Sequence, residues 1–175
     1  DSIYVVFFSG KILKFNKNNI DNNFLDTNEI SSNILNYLKN SNQQWVGVKD
    51  ILILKDEIYV SYTKAIGDLK NDCYNTSILK GTLGSDNIDF EEFFTHEDCS
   101  NWDKREGPAQ AGGRMIEYKN NILLTVGDFK NLELHSTVEN RLFCKILSID
   151  IDTKKYKIVS KGCLLYTSDA ADDQA

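Results

Sequence analysis

The sequence predicts an all-β fold built from repeated four-stranded antiparallel sheets, and three observations predict it. Short runs rich in Ile, Val, Tyr, Phe and Leu recur between turns of Asn, Asp, Gly and Lys along the 175 residues, which is how strands separated by tight turns read. Helical periodicity is nearly absent. Two stretches offset by 64 residues also match strand for strand, laying Ile58 on Ile122, Lys55 on Lys119 and Val60 on Leu124.

Taken in chain order, residues 3–16 form a hairpin: a strand over 3–8, a Ser9-Gly10 turn in which Gly10 supplies positive φ, and a strand over 11–16. A connecting segment follows over residues 17–47. Within it, residues 27–39 place Ile30, Ile34, Leu35 and Leu38 at helical spacing behind a Thr27/Asn28 cap, which predicts a short helix, with an irregular loop as the alternative. Residues 48–95 make the first repeat, pairing VKDILILKDEIYVSYT (48–63) with CYNTSILKGTL (73–83) and IDFEEFF (88–94). Residues 110–162 make the second, pairing GRMIEYKNNILLTVGD (113–128) with FCKILSID (143–150) and YKIVSK (156–161).

Four-stranded sheets that repeat without helices point to a β-propeller, in which each blade buries its faces against its neighbours. The period exceeds the roughly 40–45 residues of the WD40 type. A β-sandwich is the alternative, and it leaves the repeat unexplained. On this reading residues 1–162 are an incomplete β-propeller fragment, about two four-stranded antiparallel blades plus a flanking hairpin. Its terminal sheets would expose edges and apolar faces, which predicts aggregation of the isolated chain.

Composition bounds the function. The length suits one domain, and 20 basic against 26 acidic residues give a net charge of −6. With no Lys/Arg cluster and no aromatic-basic interleaving, nucleic acid is excluded as a partner. No apolar run approaches the roughly 20 residues of a membrane span, and the first residues lack the charged and apolar regions of a signal peptide. Any export signal would lie outside this sequence.

The last residues read as foreign. Residues 163–173, CLLYTSDAADD, resemble the conceptual translation of a transposase-adapter sequence used in DNA library preparation, and a genuine acidic tail is the alternative. Treated as a non-native tail, residues 163–175 leave the fold, the remaining charge becomes about −3 once Asp169, Asp172 and Asp173 are removed, and the gene is expected to continue past Gly162.

Cys73 and Cys99 lie equally far from residue 86, inside a Gly84-Ser85-Asp86-Asn87 turn. Residues equidistant from a turn become neighbours in an antiparallel pair. A Cys73–Cys99 disulfide follows, and with it an oxidising compartment, periplasmic or secreted; reduced core cysteines are the alternative. Cys144 has no evident partner and reads as a small buried hydrophobe.

The segment AQAGGRMIEYKNNILLTVGDF (109–129) carries the most specific pattern. Its Gly112-Gly113-Arg114 and Gly127-Asp128, with KILSIDIDTKKYKIVSKG (145–162) behind them, resemble a motif of the soluble glucose/sorbosone dehydrogenases. The resemblance covers residues 43–162. It implies a six-bladed parent that oxidises an aldose or related sugar alcohol group with pyrroloquinoline quinone (PQQ) and calcium, whose ligands would follow Gly162. One departure counts against catalysis. Where the family has a His general base this chain has Gln110, and an amide has no usable pKa near neutrality with which to take a proton. The alternative is a non-catalytic propeller that binds a glycan or protein on its central face.

Candidate substrate-binding residues are Gln44, Gln110, Arg114 and Asp128, with Gln43 beside Gln44 where the resemblance implies a substrate-contacting glutamine. Two of them have a structural alternative: Arg114 as a buried tie between blades through backbone carbonyls, and Asp128 as ordinary turn chemistry. His96, in Thr95-His96-Glu97-Asp98, and His135 read as residues of polar loops, and neither forms a metal-ligand spacing with the cysteines.

Overall fold

The computed structural model describes residues 2–19, 26–38, 46–66, 73–84, 86–101, 110–129 and 141–161. Gln43, Gln44, His135 and the adapter-like residues 163–175 lie outside the described residues.

Among the described residues the protein is all-β apart from single helical turns, with three sheets that remain open. The first contains β1 (Ser2–Val6), β2 (Ile12–Asn16), β3 (Asn28–Ser32) and β7 (Asn87–Ile88). The second is ordered β4 (Val48–Leu54), β5 (Glu57–Ile66), β6 (Cys73–Thr82) and β8 (Glu91–Phe94), with β9 (Ser100–Asn101) pairing the far end of β6. The third is ordered β10 (Gly112–Tyr118), β11 (Asn121–Val126), β12 (Lys145–Asp150) and β13 (Tyr156–Lys161).

Register makes the repeat between the second and third sheets concrete. Ile51 opposite Val60 and Ile53 opposite Ile58 reappear as Met115 opposite Leu124 and Glu117 opposite Ile122. Both opening hairpins turn through a lysine with left-handed backbone, Lys55 at φ 56° and Lys119 at φ 58°. Both have a bulge near the start of the first strand, at Val48/Asp50 and at Gly112/Met115. A second bulge lies between Ile78 and Leu79 in one sheet and between Ile146 and Leu147 in the other. Bulges re-aim side chains and bend strands, so two shared bulges give the two sheets the same curvature.

Strand β5 lies between two cores. Ile58, Val60 and Tyr62 pack into a core with Ile12, Ile30 and Ile88 of the first sheet. Tyr59, between them on the other face, packs into a core with Met115, Leu124 and Leu147 of the third. β5 is buried on both faces, with Ser61 and Thr63 buried on the face of Tyr59. The sheets are therefore stacked face to face, with the second in the middle.

Two expectations are corrected. Residues 27–39 are not one helix: Asn28–Ser32 is a strand, and only Leu35–Leu38 makes a helical turn. Ile30 satisfies both patterns, but pairing opposite Ile12 buries it and gives the β2 edge a partner, which one isolated helical turn does not offer. The hairpin over 3–16 is likewise no flanking ribbon but half of a four-stranded sheet, completed by β3 and by a parallel pairing of β3 with β7. The stretch 88–94 is split accordingly, with Ile88 in the first sheet and β8 of the second beginning at Glu91.

Candidate functional site

The candidate site lies where the edge strands β4 and β10 come together. Asp50, on β4, accepts the backbone N–H of Met115 at 2.8 Å through Oδ2, and its Oδ1 lies 3.4 Å from the Arg114 guanidinium. Ser61 Oγ donates to the carbonyl of Gly113 at 2.5 Å, and Thr76 Oγ1 donates to the carbonyl of Ala111 at 2.7 Å. Three polar side chains of the second sheet thus grip the bulged start of β10.

The glycines of the motif have a structural cause. Gly112 and Gly113 sit at φ 74° and 105°, where a side chain is strained. A Cβ on Gly113 would lie 2.5 Å from Cβ of Lys49, and one on Gly127 would lie 1.7 Å from the carbonyl oxygen of Gln110. The same close approach lets Gly127 N–H donate to Ala111 at 2.9 Å and Phe129 N–H to Gln110 at 3.4 Å. It brings Gln110 beside the Asp128-Phe129 segment.

The side chains divide clearly. Gln110 is exposed, at a positive φ of 54°, so its amide faces solvent. Asp128 is buried, 1% exposed. Arg114 is 84% exposed at its side chain, with the Asp50 carboxylate beside it, which corrects the reading of a buried tie between blades. An exposed guanidinium offers five donors to a carboxylate, carbonyl or hydroxyl ligand.

Sequence reasoning missed Asp50, Lys49 and Phe8. Lys49 is the residue left over in the bulge between Val48 and Asp50, its ammonium 5.1 Å from the centre of the Phe8 ring. Burial brings its pKa down to about 8. The carbonyl of Phe8 accepts the N–H of Val48 at 3.0 Å, which fixes the first hairpin against this edge and leaves the Phe8 ring 45% exposed. No sequence signal marks these residues, because Phe8, in the turn between β1 and β2, and Lys49, on β4, lie far apart in the chain, and the bulge that re-aims Lys49 is a tertiary feature.

His96 corrects a second expectation. It is 8% exposed, with its ring among Phe94 and Phe143 at centroid distances of 6.1 and 6.4 Å. Among the described residues neither ring nitrogen has a hydrogen-bond partner, and burial lowers its pKa to about 4, against the smaller upward pull of Asp98. The predicted Cys73–Cys99 disulfide is present, with Cα atoms 5.3 Å apart, and Cys144 is buried outside it. Among the described residues no helix is long and apolar enough to cross a membrane. Compared with family models, curated proteins and solved structures, the chain matches none.

Proposed function

We propose that the chain is a fragment of a β-propeller of the kind found in the soluble glucose/sorbosone dehydrogenases, from a six-bladed parent, and that the edge formed by β4 and β10 binds a sugar. The observation that carries this reading is the correspondence of the second and third sheets, both bulges included, with the Gly112-Gly113-Arg114 and Gly127-Asp128 elements at the edge where β4 and β10 adjoin. The Gln110 amide and Arg114 guanidinium can hydrogen-bond hydroxyls, and the exposed Phe8 ring offers an apolar face to sugar C–H groups. The disulfide suits a periplasmic or secreted protein.

The oxidising reading of the parent takes its hydride acceptor from PQQ, with calcium. The calcium ligands are expected beyond Gly162, and among the described residues no three His, Cys, Asp or Glu side chains are grouped to hold a metal ion, so no step is assigned to either group. A second reading, non-catalytic binding of a glycan or protein on the same face, is favoured by Gln110, which cannot accept a proton from a sugar hydroxyl.

Calorimetric titration with glucose and other aldoses tests the sugar site. Wild type is expected to bind an aldose, with affinity reduced about tenfold or more by Arg114→Ala or Gln110→Ala, the loss of one hydrogen bond to a charged or desolvated group. Absence of aldose binding would remove the proposal. Reduction of an artificial dye by the full-length parent on adding aldose, PQQ and calcium would assign oxidation, whereas binding without turnover by that parent would assign the non-catalytic reading.

A further inference from the structure

The residues around His96 tie the second sheet to the third. After β8 the chain returns to the start of β6, where the Asn75 amide donates to the carbonyl of His96 at 2.5 Å and the Cys73–Cys99 bridge holds the next residues. From this turn Asp98 accepts the N–H of Leu142 at 3.0 Å, and the His96 ring meets Phe143 at 6.4 Å between centroids. Residues 141–144 lead into β12 of the third sheet. Phe143 packs in turn on Phe129 at 5.6 Å, Cys144 N–H donates to the carbonyl of Gly127 at 3.3 Å, and Phe129 N–H donates to that of Gln110. A continuous set of contacts therefore runs from His96 to the backbone of Gln110.

The imidazole is the chemically exceptional member of this set. It is buried with neither nitrogen bonded among the described residues, and the Phe94 and Phe143 rings beside it have no lone pair to accept an N–H. A protonated ring carries two N–H donors and a charge, both costly without partners. The described charges nearby do not supply them. Asp98 favours the proton but already accepts the Leu142 N–H, while Lys64 of β5, paired with Glu92 of β8, opposes it. The ammonium of Lys145 donates to the Phe143 carbonyl, and Glu97 and Arg141 are exposed. Water supplies the missing partners once the ring is uncovered, so protonation favours uncovering it.

We propose that His96 is an acid-operated clasp: neutral, it closes residues 141–144 onto the second sheet, and protonated, it releases them together with the Phe129 packing that positions Gln110. The rest of the stack is held without it, by Tyr59, Leu124 and Leu147 in one core and by Ile58, Val60 and Ile12 in the other. The opening is therefore local, one of the sub-global motions that leave a core intact. The clasp rests on packing and not on sugar binding, so either can fail without the other.

Amide hydrogen exchange on the full 175-residue chain, corrected for its intrinsic pH dependence, tests it at Leu142, Cys144 and Phe129. The ring takes up its proton near the ordinary 6.5 when uncovered and at about 4 when packed. Exchange through the opening is therefore expected to rise about 25-fold from pH 7.5 to pH 5. Low urea is expected to leave these rates unchanged, because the opening exposes little surface, while exchange at Ile58 and Val60 rises with urea. In His96→Leu the acid rise is expected to vanish. Amides of 142–144 that follow Ile58 and Val60 in urea would report unfolding of the whole chain and overturn the proposal. So would an acid response absent from wild type, or one retained in His96→Leu.

Discussion

His96 is held neutral by its surroundings: burial brings its pKa from 6.5 to about 4, while the unfolded chain takes up the proton near the ordinary value. Because the unfolded state binds more protons between those two values, this residue adds nothing against folding above pH 6.5 and opposes folding increasingly as pH falls towards 4. Once the imidazole is protonated in both states, the loss of stability comes to about 3 kcal/mol. Asp98 and Lys64 are the charged groups acting on it, in opposite senses. Urea unfolding at pH 7 and pH 4.5 is expected to show a larger acid loss for wild type than for His96→Leu, which removes both the ionisation and two unsatisfied nitrogens. Equal pH slopes for the two proteins would contradict the burial. Gly127 gives a second test at this scale. Because its Cβ would lie 1.7 Å from the Gln110 carbonyl oxygen, Gly127→Ala is expected to cost more than about 2 kcal/mol by separating β10 from β11. Chemical denaturation measures it.

The elements show how far the amino-acid pattern reaches. The hairpins over 48–63 and 113–128 were legible because their turns are local and both repeat the same spacing around Lys55 and Lys119. The disulfide was legible for the same reason, since symmetry about a turn is a property of the chain alone; the structure places Cys73 opposite Asn101, two residues from Cys99, so the bridge runs diagonally. The strand at Asn28–Ser32 was not legible, because Ile30 has the right spacing for a helix with Ile34 and only the exposed edge of β2 decides between the two. The burial of His96 was hidden too: Thr95, Glu97 and Asp98 read as a loop, while the covering Phe143 comes from far along the chain. Asp50, Ser61 and Thr76 were missed as a set because they are spread over three strands. The bridge spans a separation of 26 residues, for which chain-entropy arguments assign about 3 kcal/mol of stabilisation. Cys73→Ser is expected to lower unfolding stability by about 2–4 kcal/mol, and a change within error would show that the sheet end is held by other means.

At the scale of the whole molecule, three sheets are stacked face to face rather than joined edge to edge. That arrangement produces everything proposed at the β4 and β10 edge. It sets Asp50 against the Met115 amide, leaves Arg114 facing solvent, and buries Tyr59 on one face of β5 while Val60 is buried on the other. The most direct measurement is a set of nuclear Overhauser effects from the Met115 methyl, the single methionine of the chain and so an unambiguous reporter. The stack predicts cross-peaks from Met115 to protons of Leu52 or Tyr59 and none to Ile58 or Val60. Cross-peaks to Ile58 or Val60, or to no residue of the second sheet, would contradict it.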